Sequence, residues 1–199
     1  MAFVSRAGQK LDHALNHFNL DVSNLVCADL GCSTGGFTDC LLQRGAAKVY
    51  AVDTGYGVLE WKLRKDPRVV VMERTNAMHV ELPEPVDLVT IDVAWTKQRH
   101  ILPSAKRLLK PDGQIVTLIK PHYEADASML RKGVLMDEHL DAVVASVKSE
   151  MTQVGFSVVD VVTSPIKGAK GNTELLAYLK LTAPSATDPP TAHPTDSAD

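Results

Sequence analysis

The sequence predicts an α/β fold: a seven-stranded, mostly parallel sheet with helices on both faces and a C-terminal antiparallel hairpin. Three observations predict it. Short β-rich runs alternate with helical patterns along the chain. The runs are apolar at nearly every position, as strands covered on both faces are. The last two runs are too close together for a helical crossover between them.

The strand candidates are Leu25–Leu30, Lys48–Asp53, Val69–Arg74, Val86–Asp92, Gln114–Lys120, Phe156–Ser164 and Glu174–Leu181. Helices are expected at Lys10–Phe18, Phe37–Arg44, Val58–Lys65, Ile101–Leu109 and Glu138–Val154. The first carries an apolar stripe of Leu11, Ala14, Leu15 and Phe18, the spacing that aligns side chains on one helix face. Only Pro165–Thr173, with Gly168 and Gly171, separates the last two strands, so they pair as a hairpin. Five parallel strands, a helix and a closing hairpin is the layout of Rossmann-like methyltransferases. A dinucleotide dehydrogenase would finish with further parallel strands. From Thr182 to Asp199 the chain is Pro, Thr, Ala, Ser, Asp and one His, with no large apolar side chain. Such a segment cannot offset its ordering entropy by burial. One catalytic domain over 1–181 and a disordered tail over 182–199 are therefore expected.

With 199 residues, 45% apolar and 23% charged, the chain suits a single soluble domain. Its longest apolar runs, such as Leu25–Ala28 and Val69–Met72, are too short to cross a bilayer. The N-terminus has no apolar signal-peptide core. A cytoplasmic protein without membrane contact follows. Cys27, Cys32 and Cys40 match neither a zinc site nor a disulfide framework and read as free thiols. His13 and His17 have the spacing of two zinc ligands but no third, so no metal is expected. The net charge is −3, yet all 21 Lys and Arg precede Thr182 while three of the 24 acids follow it. The folded portion is thus neutral, and its charge neither supports nor excludes an RNA partner.

The segment Asp29-Leu30-Gly31-Cys32-Ser33-Thr34-Gly35-Gly36-Phe37 leaves a strand and enters a helix, so its backbone N–H groups face the open edge of the sheet. Its spacing is not that of a pyrophosphate-binding loop, and Asp29 precedes the glycines; both favour a cofactor with an amino-acid end. Asp29, Gly31, Ser33, Thr34, Gly35, Gly36 and Phe37 are the candidates to hold it. Asp53, ending the second strand, is sited to accept hydrogen bonds from a ribose diol, or else caps a turn. Asn76, after the third strand, is placed to read an adenine edge. The three features together outline an adenosine-sized crevice. Asp92 and Lys120 abruptly end two apolar strands at the same edge, as a reactive pair or a structural ion pair. Glu174 opens the last strand and is expected to project toward them; nothing local places Lys10.

These segments carry a family resemblance. Val4–Leu11, Ser33–Ala46, Tyr50–Asp53, Glu73–Asn76, Ile119–Glu124, Ser164–Gly168 and Gly171–Glu174 are similar, in order, to the TlyA family of FtsJ-like ribosomal RNA ribose 2′-O-methyltransferases. The resemblance implies S-adenosyl-L-methionine as cofactor, with Asp92 also near it, and RNA, ribosomal RNA in particular, as partner. It implies a catalytic tetrad of Lys10, Asp92, Lys120 and Glu174. A ribose hydroxyl is a poor nucleophile, and a lysine tuned by a neighbouring cation and partial burial can take its proton. Lys120 is the expected base, Lys10 the neighbouring cation, and the two carboxylates the orienting groups.

Two departures from the family stand out. Its members usually carry an N-terminal S4-type RNA-binding domain, and this chain begins where the catalytic domain would. The family's Ser-Phe pair after the catalytic aspartate and valine is Ala94-Trp95 here. Trp95 is either a platform for an RNA base or a core or lid aromatic. The sequence thus predicts an RNA ribose methyltransferase, with a catalytically idle RNA- or ribosome-binding relative as the competing reading. Two groups of cations, one of Lys62, Arg64, Lys65, Arg68 and Arg74 and another of Arg99, Lys106, Arg107 and Lys110, read as solvated faces. Lys167 and Lys170 are better placed to touch phosphate.

Overall fold

The computed structural model describes residues 2–182, so the expected tail lies, apart from Thr182, outside the described residues. The helices are α1 (Ala7–His17), α2 (Gly36–Gln43), α3 (Trp61–Arg64), α4 (Gln98–Leu108), α5 (Pro121–Glu124) and α6 (Asp137–Gln153). The strands are β1 (Val26–Leu30), β2 (Lys48–Val52), β3 (Val69–Met72), β4 (Val86–Ile91), β5 (Leu109–Ile119), β6 (Leu130–Arg131), β7 (Val134–Leu135), β8 (Phe156–Thr163) and β9 (Leu175–Leu181). One seven-stranded sheet runs in the order β3-β2-β1-β4-β5-β9-β8, and β6 pairs with β7 separately. Strands β1 to β5 are mutually parallel, while β9 runs antiparallel to both β5 and β8. This is the predicted mostly parallel sheet, its hairpin returning so that β9 is inserted beside β5. The strand order reverses at β1 and β4, which opens a crevice beyond their carboxyl ends.

Both faces of the central strands are covered, which explains their unbroken apolar runs, while the edge strands β3 and β8 are partly exposed. Neighbours along a strand point to opposite faces. Cys27 and Leu88 accordingly join the core of Leu11, Leu15, Phe37 and Leu41 under α1 and α2. Ala28 and Val89 join Ile101, Leu102, Val147 and Met151 under α4 and α6. Leu11, Ala14 and Leu15 are buried, as the stripe in α1 predicts.

Several boundaries differ from expectation. Helix α1 starts at Ala7, α4 at Gln98 and β5 at Leu109, each earlier than the periodicity indicates. In place of a helix over Val58–Lys65, only Trp61–Arg64 is helical. Glu73 accepts hydrogen bonds from the N–H groups of Gly57, Val58 and Leu59 (2.8, 3.0 and 3.3 Å), which fixes that segment as a loop. The α5 turn and the β6–β7 hairpin have no expected counterpart, being too short for a periodic pattern. Asn172 fastens the hairpin: its Nδ2 donates to the Gly133 carbonyl and its Oδ1 accepts from the Leu135 N–H, both at 3.0 Å. All three cysteines are free and buried, and burial pushes the Cys27 and Cys40 thiols up to about 12. Among the described residues no helix is long and apolar enough to cross a membrane.

Candidate active site

The β1–α2 turn is fastened by two backbone donors, Gly31 N and Cys32 N, to the Val52 carbonyl at 2.9 and 3.0 Å. It crosses the end of β4 so closely that a Cβ at Gly31 would lie 2.7 Å from the Asp92 carbonyl oxygen. With φ at +85°, that position needs glycine on both counts. A cavity of about 860 Å³ opens above it. Gly31, Ser33, Thr34, Phe37, Asp53, Asn76 and Asp92 line it, as do Lys10, Lys120 and Glu174.

Three predicted cofactor residues are absent from that lining, and the structure gives them another task. Asp29 is fully buried under the turn, where its carboxylate accepts from Thr38 Oγ1 at 2.7 Å and Thr90 Oγ1 at 3.2 Å. Burial pushes its carboxyl up to about 7. A side chain on Gly35 would collide with Leu59 and Leu63, and one on Gly36 with Ser5 and the start of α1. These residues shape the turn from behind.

Asp53 joins two loops, accepting from Ser33 N at 2.9 Å and Gly55 N at 2.7 Å. Asn76 Oδ1 accepts from Met78 N at 2.9 Å, which leaves its Nδ2 as the donor for a ligand. Two lysine–carboxylate pairs line the same cavity. Lys10 Nζ lies 2.6 Å from Glu174 Oε2, and Lys120 Nζ lies 2.6 Å from Asp92 Oδ1. Lys120 also donates to the Val93 carbonyl at 3.1 Å. The fold thus supplies what the sequence could not: α1 delivers Lys10 to a glutamate 164 residues away. Gly168 abuts the Glu174 carboxylate so tightly that a Cβ there would collide with it.

Sequence reasoning missed His122 and Tyr123. His122 is buried, lines the cavity, and has an Nδ1 atom with no hydrogen-bond partner in the protein. Burial holds its imidazole below the usual range, against the opposing pull of Glu174. Both residues immediately follow the singled-out Lys120, which was the available signal. Trp95 is not a core residue: it is 84% exposed, has φ of +62°, and its ring lies 4.8 Å from that of Tyr123.

In the two predicted groups of cations, Lys62 pairs with Asp39, Arg64 with Glu73, Arg68 with Asp66, Arg99 with Glu150 and Lys110 with Asp87, as solvated or structural faces do, while Lys65, Arg74, Lys106 and Arg107 have no carboxylate partner among the described residues. His17 binds Asp160 at 3.0 Å, and among the described residues no group of three His, Cys, Asp or Glu could hold a metal.

A family model described as FtsJ-like methyltransferase matches residues 3–181. The chain belongs to the FtsJ-like methyltransferase family. It is 43% identical over 185 residues to the protein named 16S/23S rRNA (cytidine-2′-O)-methyltransferase TlyA of Mycobacterium tuberculosis, covering 90% of this chain and 69% of that one. It is also 43% identical over 188 residues to YqxC of Bacillus subtilis, covering 90% of this chain and 66% of YqxC. A solved structure from Streptococcus thermophilus that carries a hemolysin name superposes with a TM-score of 0.88 at 41% identity, covering 92% of this chain and 68% of that one. The chain thus spans about two thirds of the length of these relatives.

Proposed function

We propose that this chain uses S-adenosyl-L-methionine to methylate a ribose 2′-hydroxyl of RNA, with ribosomal RNA as the substrate class and residues 1–181 as the catalytic domain. The observation that supports the reading best is the meeting of two lysine–carboxylate pairs and a glycine turn at a strand-to-helix junction in one cavity.

The residues on the turn side fit the cofactor. A Cβ at Gly31 would narrow the cleft between turn and β4, Asp53 offers carboxylate oxygens at the end of β2, and Asn76 Nδ2 is a free donor beyond β3. Bound there, S-adenosyl-L-methionine supplies an electrophilic methyl group on a sulfonium sulfur.

The other side handles the hydroxyl. In this reading Lys120 Nζ, as the amine, takes the ribose hydroxyl proton, and Asp92 steadies the ammonium that results. Lys10, fixed by buried Glu174, orients the ribose and offsets negative charge developing on its oxygen. Trp95, exposed and backed by Tyr123, offers a stacking face for the base of the same nucleotide. The names of its relatives support RNA as the substrate and the 2′-oxygen as the acceptor.

The test is to incubate the protein with methyl-labelled cofactor and ribosomal subunits or free rRNA, then map the label by nuclease digestion. Label on a ribose, absent with Lys120→Ala, is the expected result. Cofactor binding without transfer to any RNA would make the chain an idle relative.

A further inference from the structure

The loop joining β8 to β9 carries charges that neither cofactor binding nor proton transfer uses. Lys167 and Lys170 line the cavity from this loop, and Arg6 lines it from the start of α1. Of the five Lys and Arg that line the cavity, Lys10 and Lys120 are paired with carboxylates; these three have no carboxylate partner among the described residues. Their hydrogen bonds are to neutral groups. Lys167 Nζ donates to Thr173 Oγ1 at 2.6 Å and Lys170 Nζ to the Lys132 carbonyl at 3.2 Å, which positions the ammonium groups without neutralising them.

The mount is stiff. Gly168 N donates to the Asn172 carbonyl at 2.9 Å, and Gly171 N to the Gly168 carbonyl at 3.1 Å. Lys170 is held left-handed, with φ of +56°, ahead of Gly171 at +82°. Asn172, 2% exposed, locks the loop to the β6–β7 hairpin through Gly133 and Leu135. The loop also abuts the tetrad, since Gly168 packs directly on the Glu174 carboxylate.

That adjacency has a chemical consequence. A ribose 2′-oxygen sits on the carbon next to the one whose oxygen carries the 3′-phosphodiester. Any ribose presented to Lys10 and Lys120 therefore brings a phosphate beside the tetrad, whose two lysines are already paired with Glu174 and Asp92. The cations on the adjoining wall that have no carboxylate partner are available to bind that phosphate. We propose that Lys167, Lys170 and Arg6 form a phosphate clamp that grips the backbone of single-stranded RNA on the 3′ side of the nucleotide entering the tetrad. The clamp rests on the RNA reading above and assigns where that RNA is held.

The experiment is anisotropy titration of a fluorescent, mixed-sequence single-stranded RNA across a salt series, with cofactor affinity and melting temperature measured in parallel. Against wild type, the K167Q/K170Q double variant is expected to bind RNA about tenfold more weakly and to lower the slope of log K against log salt by about 1.4, two contacts' worth. R6Q, on a different element, lowers it by about 0.7. Cofactor affinity and melting temperature stay at wild-type values, since all three side chains are exposed and outside the cofactor wall. Wild-type affinity and slope in these variants would overturn the clamp and leave the RNA reading standing. Failure of the wild-type protein to bind RNA would overturn both.

Discussion

The two walls of the cavity are built by different means. On the proposed cofactor side, shape comes from backbone: a glycine turn pressed against β4, Asp53 bridging two loops, and buried Asp29 holding Thr38 and Thr90 from below. On the acceptor side, shape comes from side chains that meet over long sequence distances, Lys10 with Glu174 and the β8–β9 loop with the β6–β7 hairpin. Backbone groups at a strand-to-helix turn point where the local fold sends them, once glycine stands where the turn requires it. An ion pair between distant elements exists only once the whole domain has closed. Damage to the acceptor wall should therefore abolish chemistry and spare cofactor binding, with the reverse on the other wall.

The sharpest way to break this contrast is Lys120→Ala. Methyl transfer should fall by about 10³-fold, within the range for loss of a general base, while cofactor affinity measured by calorimetry stays put. A parallel loss of cofactor affinity would show the walls to be one unit. Next comes Glu174→Gln, expected to cost about 10²-fold in single-turnover rate because Lys10 loses its charge partner. Gly168→Ala should follow it at about tenfold, through displacement of that carboxylate, and Tyr or Trp fluorescence on cofactor titration should be unchanged.

The opposite wall is probed by Asp53→Ala. Removing charge-assisted hydrogen bonds of about 1.5–3 kcal/mol should weaken cofactor binding roughly 10- to 100-fold with RNA affinity unaltered. The smallest effect on turnover is expected for Asp29→Asn, whose signature is pH-dependent stability. Asp29 rises from 3.8 when unfolded to about 7 in the fold, so the folded state holds the proton more tightly. Its contribution is complete below about pH 4 and is lost as pH rises through 7. In urea melts across that window the Asn variant should show a flatter slope than wild type; an identical slope would mean that Asp29 is not the group responsible.

Much of the proposed cofactor wall's placement at the sheet edge was legible in the residues themselves. The glycine turn, Asp53 and Asn76 each follow a recognisable strand, and a strand's end in a parallel sheet predicts which edge its successor faces. Depth was not legible: Asp29, Gly35 and Gly36 belong to the turn but do not line the cavity, and burial order is invisible in spacing. Trp95 could be a platform, a core or a lid aromatic, and its exposure removes only the core reading. His122 sat beside a singled-out lysine, yet only the packing shows a buried imidazole with an unpartnered nitrogen.

By itself, the sequence determined the sheet, its closing hairpin, and the residue types available at the active edge. Periodicity and strand-end charges are local properties that survive in any fold built from them. Tertiary structure alone decided which charges meet. Lys10 reached Glu174, Lys120 reached Asp92, and the lysines of the last loop were left without a carboxylate, because pairing depends on where helices and loops come to rest across the sheet. The glycine turn was readable from its chain neighbours; the wall facing it existed only after the ends of the chain had come together.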